Sequence, residues 1–253
     1  MTIAEMLLYG AFGVLAGGLI GCVGVGGVIL VPALAFVAGI PIQTAIAAAM
    51  FAYLLSGLVG TIVFARNKSI RWSMTTPLWL GAMPAALAGA LTVGIAPPMV
   101  LELSIGLLTA GSGIHALFGP QPQSDESERD VSNAFLAVAG LVTGFLSALT
   151  GTGGPLVLIP ILLWAEVPVL TAIGLSQAIQ LPIAVLATAG NAYAGTLDVL
   201  LGLVIGVGIV GGTWAGARLA HVLPRPTLRR IVAGLLVIVG ALIMVRLLMR
   251  LWS

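Results

Sequence analysis

Thr150-Gly151-Thr152-Gly153-Gly154-Pro155-Leu156-Val157-Leu158-Ile159-Pro160 breaks an apolar run with glycines, then resumes for a few hydrophobic residues before a proline. The pattern occurs twice. Moving back 127 residues gives Val23-Gly24-Val25-Gly26-Gly27-Val28-Ile29-Leu30-Val31-Pro32. The same offset pairs Gly13 and Gly17 with Gly140 and Gly144, Pro41 with Pro168, and Thr44-Ala45-Ile46 with Thr171-Ala172-Ile173. Further on it pairs Gly81, Gly89, Ala90, Pro97 and Gly113 with Gly208, Gly216, Ala217, Pro224 and Gly240. Glycine matches come easily in this composition. One offset held over a hundred residues, with two matched prolines and a triplet, marks a duplicated unit.

The composition says where that unit lives. Of 253 residues, 60% are hydrophobic and 18 are Asp, Glu, Lys or Arg. A soluble chain of this length carries about a quarter charged residues, roughly 60. So few charges cannot cover a water-exposed surface. The expectation is a polytopic, all-α membrane protein, and a soluble enzyme, a secreted disulfide scaffold and a disordered regulator are excluded. One cysteine, Cys22, rules out an intrachain disulfide and a cysteine metal cluster. Two histidines, His115 and His221, form no HExxH site. No cofactor, metal site or catalytic residue is expected. The net charge of +2 gives no reason to expect a nucleic-acid partner. The N-terminal segment has Glu5 where a signal peptide carries positive charge, so none is expected.

Each half reads as five apolar elements. They are residues 3–23, 28–39, 41–65, 74–96 and 98–118, then 134–150, 155–166, 168–195, 199–220 and 227–249. A span needs about 20 apolar residues. The second element of each half is too short and carries Pro32 or Pro160, so it is expected to be a broken or re-entrant helix entered through the glycines. The division is a first membrane repeat (1–118), a polar cytoplasmic linker (119–133) and a second membrane repeat (134–253).

Five elements per half place the two repeats in opposite orientations. Arg66, Lys68, Arg71, Arg129, Arg218, Arg225, Arg229 and Arg230 then share one side, and Arg246 and Arg250 the other. The positive-inside rule puts the eight in the cytoplasm and both termini outside, in a bacterial inner membrane. Inverted repeats with broken helices are a transporter architecture, with the substrate near the midplane.

Two clusters are candidates for that substrate. The breaks supply Gly24, Gly26, Gly27, Thr150, Gly151, Thr152, Gly153 and Gly154. Glycine lets backbone N–H groups approach a ligand, and a helix that starts there directs its positive end at an anion. Gly13/Gly17 and Gly140/Gly144 read instead as helix-packing seams. The second cluster is Ser176, Gln177 and Gln180, with Ser147 facing the same space. Gln177 and Gln180 lie on one helix face, about 13–18 Å into the membrane counted from Pro168. Buried amides there need partners. The positions matching Ser176, Gln177 and Gln180 in the first half are Ala49, Met50 and Tyr53, so the polar groups concentrate in the second repeat. Glu5, Glu102, Glu166, Asp198, Arg218 and both histidines fall near element ends, where they can snorkel to the headgroups. Trp72, Trp79 and Trp252 read as an interfacial belt. For Asn191 and Tyr193 an exit lining and that belt are equal alternatives.

In these motifs the chain resembles the TauE/SafE family of membrane proteins, the sulfite exporters. The resemblance covers nearly the whole length. It is carried by Gly151-Thr152-Gly153-Gly154 through Pro160, then Thr171-Ala172-Ile173-Gly174-Leu175-Ser176. The first copy departs: Pro32 comes one residue sooner, and Ala47-Ala48-Ala49 replaces the Gly-Leu-Ser triplet. The resemblance implies a secondary transporter exporting a small sulfur-containing anion, such as sulfite or an organosulfonate. The expected partners are that anion and the lipid bilayer, with a coupling ion (H+ or Na+) and a homo-oligomer left open. A channel or a structural membrane partner is the alternative, and an intramembrane enzyme a more remote one.

Overall fold

The computed structural model describes residues 1–23, 26–118 and 131–220, together with 222, 234, 238, 241 and 245. The helices are α1 (Ile3–Val23), α2 (Gly27–Pro32), α3 (Ile42–Arg66), α4 (Trp72–Ile95), α5 (Pro98–Phe118), α6 (Asn133–Thr150), α7 (Pro155–Trp164), α8 (Val169–Tyr193) and α9 (Val199–Ala220). No strand occurs among the described residues. Among the described residues, six helices, α1, α3, α4, α6, α8 and α9, are long and apolar enough to cross a membrane. Most of the expected fifth element of the second half, and nearly all of the linker, lie outside the described residues. So do Arg129, His221, Arg225, Arg229, Arg230, Arg246, Arg250 and Trp252.

Local chemistry sets the helix ends. Ser132 Oγ accepts from the Phe135 amide at 3.3 Å and caps α6. Asp198 Oδ1 accepts from Leu201 N–H at 3.0 Å and caps α9. Each satisfies a donor that the first helical turn leaves open. Pro41 and Pro168 precede α3 and α8 with nearly identical dihedrals (φ −51°, ψ 135° and φ −53°, ψ 140°). The repeat also governs left-handed backbone. Gly39 (φ 70°) and Glu166 (φ 62°) are mates at the 127-residue offset, as are Lys68 (φ 55°) and Gly195 (φ 72°). The one-residue shift between Pro32 and Pro160 coincides with a π turn, Ala33–Val37, that follows α2. A π turn takes up one extra residue within a helix.

Close approaches at glycine show how the helices run. Gly13, Gly17 and Gly21 of α1 face Ile205, Ile209 and Thr213 of α9, so these helices are parallel. Gly140 and Gly144 of α6 face Leu78 and Ala82 of α4, again parallel. Gly57 and Gly60 of α3 face Leu181 and Gln177 of α8, which is antiparallel. Gly202 and Gly206 of α9 face Phe51 and Leu55 of α3, and Gly190 of α8 and Gly94 of α4 face Ala90 and Ala194, both parallel. Helices α1, α3 and α9 therefore point one way, and α4, α6 and α8 the other. Exchanging the halves maps α1 onto α6, α3 onto α8 and α4 onto α9. It carries each extensive pairing onto another and reverses its direction, which agrees with an inverted arrangement. The α3–α8 pair maps onto itself and so lies at the centre.

Because α1 and α3 point the same way, the chain must return between them, and α2 with its π turn makes that return. Helix α7 does the same between α6 and α8. The ten residues of α7 cover about 15 Å, half of a hydrocarbon core about 30 Å thick. Both short segments thus start at the glycine breaks.

Candidate functional site: two helix breaks and a ring of buried polar groups

The second break is held in a conformation that only glycine takes readily. Gly151 (φ 67°), Gly153 (φ 80°) and Gly154 (φ 114°) are all left-handed, within four residues. The Thr152 amide turns back to Ser147 O at 3.2 Å, closing the end of α6. Thr150 Oγ1 donates to Leu146 O at 2.6 Å and meets Thr152 Oγ1 at 3.1 Å. Pro155 then opens α7 at a position where its missing N–H costs nothing. The first break differs. Gly26 is right-handed (φ −76°, ψ −24°), so space is its requirement: a Cβ there would overlap Ala16 O. A Cβ on Gly27 would overlap the backbone of Thr152, so the two breaks touch. Gly24 lies outside the described residues.

Around this junction stand the polar side chains of α3, α6 and α8. Gly153 lies against the ring of Tyr53, and Gly154 against Ile179, Ile183 and Gln180 Cα. Gln180 Nε2 donates to Tyr53 O at 3.5 Å. These two residues are mates at the 127-residue offset, so their meeting marks the axis that exchanges the halves. Gln177 Nε2 donates to Ile20 O at 3.0 Å, and Thr61 Oγ1 donates to Gln177 O at 3.1 Å. Gly60 makes room for the Gln177 side chain. Tyr53, Thr143, Ser147, Gln177 and Gln180 are all buried. Yet Tyr53 Oη, Thr143 Oγ1, Ser147 Oγ, Gln177 Oε1 and Gln180 Oε1 have no hydrogen-bond partner among the described residues. Each unpaired buried group costs about 1–3 kcal/mol. Such atoms are candidate contacts for a ligand or water.

The expected site residues separate into three groups. Gly26, Gly27, Gly151, Thr152, Gly153, Gly154, Ser147, Gln177 and Gln180 surround the junction. Thr150 is buried beside them, but its hydroxyl is spent within the break. Ser176 is also spent: its Oγ donates to Ala172 O at 2.7 Å, inside its own helix. Tyr53, Thr143, Thr61 and Gly60 were not singled out by sequence as site residues. The available signal was the offset, which sets Tyr53 opposite Gln180, and the i, i+4 spacing of Thr143 and Ser147.

Two expectations about the helix ends are corrected. Glu102 is buried rather than snorkelling, because α5 is covered by α6, α7 and α3. Trp79 is half-buried and donates from Nε1 to Ala178 O at 3.1 Å, tying α4 to α8. Trp72 remains exposed. Arg218 is exposed and sits over the Trp214 ring, 3.9 Å from its centroid. No cluster of three His, Cys, Asp or Glu suited to a metal occurs among the described residues.

A family model described as sulfite exporter TauE/SafE matches residues 9–243. A curated relative, a "Probable membrane transporter protein" of Methanocaldococcus jannaschii, is 23% identical over 231 residues, covering 85% of this chain and 86% of its own. No solved structure matches. The match over nearly the whole length, on a multi-pass helical fold with a polar centre between its halves, means that this chain belongs to the TauE/SafE sulfite exporter family of membrane transporters.

Proposed function

We propose that the protein exports a small sulfur-containing anion, such as sulfite or an organosulfonate, held at the junction of the two glycine breaks. The observation that carries this reading is a set of five buried polar atoms on α3, α6 and α8 with no hydrogen-bond partner among the described residues. Tyr53, Thr143 and Ser147 offer hydroxyl donors, and the glycine backbone adds N–H groups at the start of α7. Gln177 and Gln180 offer carbonyl acceptors. Their Nε2 donors are already given to Ile20 O and Tyr53 O. Such a mixed set suits an oxyanion that carries a donor of its own, as hydrogensulfite or an aminosulfonate does. No charged side chain is invoked, so dipoles carry the anion across the bilayer. Export down an inside-negative potential gains about 2.3 kcal/mol per charge per 100 mV. The site's polar side chains are buried, so loading and release call for the repeats to part on one side at a time.

Proteoliposomes loaded with labelled sulfite test this. Gln180→Leu and Ser147→Ala are each expected to slow efflux roughly 10- to 150-fold, since a hydrogen bond to a charged group is worth about 1.5–3 kcal/mol. Melting in detergent should stay near that of the parent. Efflux equal to that of protein-free liposomes would reject the substrate, and parental rates in both variants would reject the site.

The orientation proposed is that of the positive-inside rule, in a bacterial inner membrane. Helices α3 and α9 run parallel, so Arg66 and Arg218 share an end, with Lys68 and Arg71 beside them. We assign that end to the cytoplasm and the start of α1 to the outside. In a Cys22→Ser background, an impermeant thiol reagent applied to whole cells should label Thr2→Cys and spare Asn67→Cys. The reverse pattern would invert the assignment.

A further inference from the structure

Beyond the central site, α8 carries more buried polar groups than its packing uses. Gln177, Gln180, Ala184, Thr188 and Asn191 are spaced 3, 4, 4 and 3 residues apart, which places them in one stripe along the helix. The stripe is about 21 Å long at 1.5 Å per residue. Asn191 is completely buried, and neither Nδ2 nor Oδ1 has a hydrogen-bond partner among the described residues. Thr188 Oγ1, one turn nearer the centre, is also shut from solvent and has no partner among the described residues. The small Ala184 and Ala187 lie between these atoms and Gln180. A lone buried amide could be dismissed as a packing fault. Two neighbouring groups in line with the two glutamines describe a track.

The other half has no such track. The mates of Thr188 and Asn191 at the 127-residue offset are Thr61 and Phe64. The Thr61 hydroxyl is already committed to Gln177 O, and Phe64 is a fully buried aromatic. The path away from the centre is therefore polar toward the C-terminal end of α8 and closed by an aromatic ring toward the C-terminal end of α3.

We infer that Thr188 and Asn191 form a second binding station for the transported anion, between the central site and the end of the bundle where α8 terminates. The inference rests on the transport reading above. The Asn191 amide supplies two N–H donors and Thr188 a hydroxyl, enough to hold an oxyanion after it leaves Gln180. Under the proposed orientation this is the outer station, the last one met during export.

The test uses the single native thiol to advantage. In full-length Cys22→Ser protein in liposomes, Thr188→Cys and Asn191→Cys are challenged with the anionic 2-sulfonatoethyl methanethiosulfonate and its trimethylammonium counterpart. Leu201→Cys, a packed α9 residue at the same end of the bundle, is the control. The anionic reagent is expected to modify both positions at least about tenfold faster than the control, and with preference over the cationic one. In parallel, Asn191→Ala and Thr188→Val should slow sulfite efflux about tenfold, while Gln180→Leu also loses equilibrium sulfite binding and the outer variants keep it. If the parent moves no sulfite but both cysteines react, the station stands and the substrate assignment falls. Unreactive cysteines, or parental efflux in both outer variants, would overturn the station.

Discussion

Gly153→Ala is expected to reduce anion efflux by about tenfold or more while the protein still inserts and folds. Gly153 has φ 80°, where an L side chain costs about 1–3 kcal/mol. Its new methyl would also stand 2.9 Å from Tyr53 Cδ2, so the buried ring must shift and carry Oη with it. Both effects act on groups that line the junction. Gly195→Ala separates strain from site. Gly195 has φ 72°, nearly the same conformation, but nothing lies within 4 Å of a Cβ there. It should lose a similar amount of stability and keep its flux. Paired melting and efflux measurements decide: equal loss of flux in both variants would mean that backbone strain, and no ligand contact, explains the effect.

How much of this was legible beforehand depended on whether the physics was local. The element ends were readable, because prolines, polar turns and the lengths of apolar runs are local: residues 41–65 were expected where Ile42–Arg66 is found. Gly13/Gly17 and Gly140/Gly144 announced close-packed faces, but spacing alone names no partner. That α1 meets α9 and α4 meets α6, across the repeats, follows only from the assembled bundle. The glutamines were conspicuous because amides at membrane depth are costly. Tyr53 was not, since an aromatic among Ala49, Met50 and Ala52 reads as core until its hydroxyl is found without a partner among the described residues. Ser176 failed for the opposite reason: a helical hydroxyl can satisfy itself on the carbonyl four residues back, and no periodicity reveals that choice. The left-handed Lys68 and Glu166 had only one advance signal, the glycines that are their repeat mates.

Neighbouring glycines on α9 should give opposite results. Gly212 lies in the seam with α1: a Cβ there would overlap Val14 O and stand 2.7 Å from the Gly18 amide nitrogen. Gly208 and Gly216 on the same face meet Gly10 and Gly18, and α1 answers with Gly13, Gly17 and Gly21, so backbone packs on backbone along three helical turns. Such seams hold membrane helices by dispersion, where burial from water supplies no drive between lipid-facing segments. Gly212→Leu forces these helices apart and is expected to destabilise by about 3 kcal/mol, the upper end for overpacking. Gly211 is exposed, with nothing within 4 Å, so Gly211→Leu is expected to stay within about 0.5 kcal/mol of the parent. The repeat mate of Gly212 is Ala85, buried in the α4–α6 seam, so a single methyl is tolerated at the equivalent place and Gly212→Ala should be milder than Gly212→Leu. The seam also bears on transport. Helix α1 supplies Ile20 O, which holds the Gln177 amide at 3.0 Å, so prising α1 from α9 releases one wall of the central site. Gly212→Leu is therefore expected to lower both the denaturant midpoint and sulfite efflux, and Gly211→Leu neither. Equal stability of the two variants would show that the α1–α9 seam is not what holds the repeats together.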